Sequence, residues 1–199
     1  MFASLAADRA EPDAPPSRDV PRRIAIVRAL VALVWAAALV IAVGDQVPST
    51  SSDVPIAAAA LLASYPAIDV VASIAGARGT ADSVRVLYVN AAIGVLAIAA
   101  LGITAFGADA GATLAAFGAW AAVSGAIQFA VAIHLRRTEG GQLPLLVSGA
   151  LSTIAGLAFL ASSGMDDAHL AGVSAYMALG AALYLLSAYR SQTTPHAAR

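Results

Sequence analysis

Polar and charged residues fall in short clusters along this chain and separate six long apolar runs, at 24–43, 54–76, 84–106, 111–133, 143–163 and 170–189. Each run has about 20 residues, the length that carries a helix across the hydrocarbon core of a bilayer. The gaps are short and rich in breakers or polar residues (GDQVPSTSSD, ARGTADS, GADA, HLRRTEGGQ, GMDDAH). Such gaps suit tight connections between antiparallel membrane helices. The pattern predicts an all-α polytopic membrane protein with six transmembrane helices between 22 and 190. The first 21 residues mix prolines with charges of both signs and predict a disordered cytoplasmic tail. They lack the order of a cleavable signal peptide, so the first run is expected to remain as an anchor. Residues 191–199 form a second expected tail.

Arginine placement orients the bundle, because short cytoplasmic loops are enriched in basic residues. Arg9, Arg18, Arg22 and Arg23 precede the first run, Arg78 and Arg85 flank the second gap, Arg136 and Arg137 occupy the fourth, and Arg190 and Arg199 follow the last run. The first, third and fifth gaps carry Asp45, Asp53, Asp109, Asp166 and Asp167 and no arginine. Both termini are therefore expected in the cytoplasm.

Composition sharpens this picture by exclusion. Of 199 residues, 60% are hydrophobic and 12% charged, against roughly 45–50% and about 25% in soluble domains, which excludes a water-soluble enzyme. A formal net charge of -1 leaves no basic footprint for nucleic acid. Without lysine there is no Schiff-base chemistry, and without cysteine no disulfide, thiolate metal site or palmitoyl anchor. His134, His169 and His196 are far apart, and no HExxH, GxSxG or phosphate-binding glycine loop occurs. No cofactor, metal or catalytic residue is expected, and the chain is read as a non-enzyme.

Rare residues recur at near-constant spacing. Tyr65, Trp120 and Tyr176 lie in the second, fourth and sixth runs at offsets of 55 and 56 residues, and the same offsets carry Asp69 to Ser124 to Gly180 and Ser73 to Gln128 to Tyr184. Odd runs echo more loosely, with Arg28, Asn90 and Ser148 in similar positions. One helical hairpin written three times, at 24–76, 84–133 and 143–189, accounts for this. With the arginine early in the first run, the aromatic-x-x-x-Asp/Ser/Gly pattern of even runs, and the stretches GAWAAVSGAIQFAVAIHLRR and LLVSGALSTIAGLAFL, the chain resembles the HdeD-type acid-resistance membrane proteins. That family has six spans built from repeated two-helix units. The resemblance implies a bacterial inner-membrane location and a part in acid or envelope-stress resistance. Where the family tends to have Arg-Gly and Asp-Gly, this chain has Arg28-Ala29 and Asp69-Val70.

Asp69 is the sole carboxylate inside an apolar run, at a cost of roughly 2.5–3.5 kcal/mol on insertion scales if it sat at the helix centre. Arg28 is the sole arginine well inside one. Both are expected in the cytoplasmic half, at depths an arginine side chain can bridge, which predicts an interhelical Arg28–Asp69 ion pair. Two readings stand open: the pair fixes helix register, or it is a protonatable site on a solute or proton path. Tyr65, Ser73, Asn90, Trp120, Ser124, Gln128, Ser148, Tyr176 and Tyr184 are candidates to line a cavity beside it, or to bond helix to helix. Pro66 predicts a kink next to Asp69. Eight glycines, at 94, 102, 118, 125, 149, 156, 172 and 180, are expected to admit close backbone packing. Expected partners are the bilayer and a second copy or another membrane protein. Two functions follow: a non-catalytic membrane component acting by assembly, or a small proton-linked transporter or channel titrating Asp69.

Overall fold

A computed structural model describes residues 19–47, 49–77, 84–135, 143–166 and 170–193. These form seven helices, α1 (Asp19–Val43), α2 (Ile56–Ser64), α3 (Pro66–Ala77), α4 (Val84–Gly107), α5 (Ala110–Leu135), α6 (Leu143–Ser162) and α7 (Gly172–Thr193). The described residues contain no strand. Residues 1–18 and 194–199 of the expected tails, with Arg78, Arg136, Arg137, Asp167, His169 and His196, lie outside the described residues.

Five stretches are long and apolar enough to cross a bilayer: Ile26–Val43, Ile56–Ala75, Val84–Gly107, Ala110–His134 and Leu145–Ser162. The expected sixth differs. In α7 the apolar part, Gly172–Leu186, is shorter than these, because Arg190, Ser191 and Gln192 occupy the last turns. The helices also exceed the apolar runs: α1 starts at Asp19 and α7 continues to Thr193, so 19–21 and 191–193 are helical where tail was expected. Pro21 fits there because the first turn of a helix needs no donor from it.

The second run is split as its proline predicts. Pro66 has no N–H to offer the carbonyl four residues back, and the helix is interrupted at Tyr65, where Ile68 donates to the Tyr65 carbonyl at 3.1 Å. Elsewhere the ends are capped locally. Gly44, at φ +46°, ends α1 and donates to the Val40 carbonyl at 3.0 Å. Asp109 Oδ1 accepts from the Ala112 N–H at 2.7 Å to start α5. The segment after α1 folds over that same terminus: the Ser52 carbonyl accepts from Ala110 N–H at 2.9 Å and the Thr50 carbonyl from Gly111 N–H at 2.7 Å. Two of the donors a helix start leaves bare are thus met by a loop.

The helices close into a ring in which α1 packs on α7. Packing is tightest between α5 and α6, then between α1 and α7 and between α3 and α4, while α1 touches α3 only sparsely. The α5–α6 seam is made by glycine. A Cβ at Gly118 would come within 2.7 Å of the Gly156 carbonyl, and one at Gly125 within 2.9 Å of the Gly149 carbonyl. These two facing pairs lie seven residues apart on each helix, so the backbones approach along two turns. Gly94 is similarly closed, by Val70 on α3. The expectation fails at Gly102 and Gly180, which face open space, and Gly172 has only an ordinary 3.8 Å contact.

Alanines line many of the helix contacts, large side chains such as Phe117, Leu39, Leu62 and Leu101 fill the centre, and many other large aliphatics face outward. Ala29, Ala32, Ala36, Ala58, Ala59, Ala97, Ala121 and Ala181 are buried, while Ile41, Ile56, Leu96, Ile103 and Val71 point outward. An apolar outer surface is unsuited to water and suits lipid.

Candidate functional site

The chemistry-bearing residues meet where α1, the α2–α3 break and α7 converge. Arg28 lies on α1 one residue before Ala29, and Ala29 and Ala32 pack on Ala181 of α7. Their small side chains bring α1 and α7 close enough for Arg28 to sit under Tyr184. Its guanidinium carbon is 4.4 Å from the Tyr184 ring centroid, the geometry in which a cation meets a π face. Across the sparse α1–α3 gap, Arg28 Nη2 donates to Asp69 Oδ1, forming the expected ion pair. Both side chains retain about a quarter of their surface, 23% and 24%.

Tyr65, at the helix break, joins this site to an aromatic cluster. Its ring is 5.8 Å from Trp120 and 6.1 Å from Phe117. Phe117 is the hub: Trp120, Tyr176 and Phe159 lie 5.3, 5.6 and 5.9 Å from it, all edge-on, as ring quadrupoles favour. Tyr65, Trp120 and Tyr176, the three aromatics at matched offsets, thus gather round one phenylalanine. Leu62, Leu114, Val173 and Met177 belong to the same buried cluster, so apolar side chains fill the bundle axis at this level.

The remaining candidates serve local bonds. Asn90 Nδ2 donates to Ser73 Oγ at 2.9 Å and ties α4 to α3, one turn from Asp69. Gln128 Nε2 donates to the Leu145 carbonyl at 3.2 Å, joining α5 to α6. Ser124 donates to the Trp120 carbonyl of its own helix at 2.7 Å, and Ser148 is buried next to the glycine seam. Tyr176 donates to Ser152 at 3.1 Å. The expected lining therefore divides: Tyr65, Tyr184 and, beyond them, Tyr176 gather with Arg28 and Asp69, whereas Ser124 and Gln128 bond within or between helices and Ser148 is buried on α6.

Sequence reasoning missed Phe117, Phe159 and the Trp35–Ser64 bond, in which Trp35 Nε1 donates to Ser64 at 3.1 Å. Phe117 was findable, since it lies three residues before Trp120 and hence on the same helix face. Among the described residues no group of His, Asp or Glu could hold a metal ion. Comparison of the chain with protein-family models, curated proteins and solved structures yields no match.

Proposed function

We propose that this is a six-span integral protein of the bacterial inner membrane with both termini cytoplasmic. In this reading it is a non-catalytic component that acts by assembly with itself or another membrane protein, akin to the HdeD-type acid-resistance proteins. The observation carrying the non-transporting part is the filled axis: Phe117, Trp120, Tyr65, Tyr176 and Phe159 pack edge to face where a solute path would run. The Arg28–Asp69 pair then works as a strut between helices that otherwise barely touch. In this reading the sixth span is α7, whose apolar part, Gly172–Leu186, covers about 22 Å at 1.5 Å per residue, with the turns up to Thr193 supplying the remainder.

Proton flux into proteoliposomes under an imposed pH gradient and potential tests the reading. Wild type and Asp69→Asn are expected to match protein-free vesicles. A flux present in wild type and lost in Asp69→Asn sinks it in favour of a proton-linked transporter, the reading that the exposed quarter of Asp69 supports. Topology is tested separately: tags at the two ends are expected on one side of the membrane.

A further inference from the structure

Arg28, Asp69, Tyr65 and Tyr184 all lie on inward stripes of their helices. Ala29, Ala32 and Ala36 mark that stripe on α1, Leu62, Pro66 and Ser73 on α2 and α3, and Met177, Ala181 and Ala188 on α7. Arg28 and Asp69 nonetheless keep about a quarter of their surface accessible, where α1 and α3 touch only sparsely. The ion pair engages one atom of each partner, Nη2 and Oδ1. Arg28 Nη1, Asp69 Oδ2 and the Tyr65 and Tyr184 hydroxyls have no hydrogen-bond partner among the described residues, and Arg28 Nε is buried without one. A charged donor, an anionic acceptor and two adaptable hydroxyls thus remain available at one place in an apolar bundle. Of these atoms only Arg28 Nε is itself buried without a partner, and the others are accessible to a molecule that supplies the missing hydrogen bonds.

We propose that these groups line a crevice between α1 and α3 that binds a small uncharged solute carrying a hydrogen-bond donor and acceptor side by side, such as a primary amide. The acceptor faces Arg28 Nη1 and the donor faces Asp69 Oδ2, while the phenols donate or accept as the ligand requires. Charge selects the class. Arginine and aspartate already neutralise each other, so an ionic ligand brings net charge into a low-dielectric interior with nothing to offset it. A neutral amide brings none. The crevice is blind, ending at Tyr65 and the aromatic cluster, which makes it a site of binding and not of passage. The blind end rests on the closed axis of the proposed function; the solute class does not.

The natural absence of cysteine makes single-cysteine labelling clean. Tyr184→Cys and Tyr65→Cys, on different helices, report the crevice, and Met177→Cys reports the axis. In proteoliposomes, at least one crevice cysteine is expected to react with a membrane-impermeant thiosulfonate from one side only. Each single variant keeps Arg28, Asp69 and the other phenol, so acetamide is expected to slow that reaction about threefold at twice its Kd for that variant, with acetate and methylammonium at the same concentration leaving it unchanged. Folded variants that react from neither side, no protection by acetamide, or equal protection by acetate or methylammonium each overturn the proposal. Labelling of Met177→Cys instead opens the axis and overturns the structural reading above, so the two failures are told apart.

Discussion

At the scale of residues, Arg28 and Asp69 depend on each other. Removing one charge leaves the other facing an aromatic ring and alanines, a situation that costs about 3 kcal/mol at the lower end for a broken buried pair. Arg28→Gln and Asp69→Asn are each expected to lower stability by about that amount in denaturant titrations in detergent. The double variant is expected to recover part of the loss, and strictly additive losses would remove the pair as a coupled unit. Tyr184→Leu keeps bulk but loses the π face, for an expected loss of about 1 kcal/mol. The pair was legible because lone charges in apolar runs have to find each other. Ser124 was not: a serine that bonds its own helix reads the same in sequence as one that faces a cavity.

Among elements, glycine separates seam from surface. Gly156→Ala puts a methyl against the Ala122 backbone of α5 and is expected to destabilise by about 1–3 kcal/mol through overpacking. Gly180→Ala meets nothing within 4 Å and is expected to be neutral or to stabilise by about 0.5–1 kcal/mol through helix propensity. Opposite signs in one unfolding assay check both. Helix positions were readable because apolar length and polar gaps mark spans directly, and Pro66 marked the break. Pairing was less readable, since it depends on which glycines face each other. The facing positions 118 with 156 and 125 with 149 have meaning only once α5 and α6 are known to be neighbours. The loop over α5 was silent as well, because its bonds come from backbone carbonyls at Thr50 and Ser52, which carry no residue-specific signal.

For the whole molecule, the ring of helices is apolar on its outer face as well as in its core, where a soluble bundle would carry polar residues outside. Fold class was readable from hydropathy alone for that reason, whereas the filled axis depended on Phe117 and Phe159 meeting from different helices. The contact between α1 and α7 adds a consequence in time. During synthesis α1 emerges well before α7, so Arg28 waits through the intervening helices without the tyrosine that will cover it. A chain stopped before α7 leaves α1 with an uncovered cation and an open alanine face, the kind of orphaned segment that membrane proteases remove. Truncation after residue 166 is accordingly expected to shorten cellular half-life far more than removal of residues 194–199, as a pulse-chase comparison would reveal. The later helix is the clasp that closes over the earlier one.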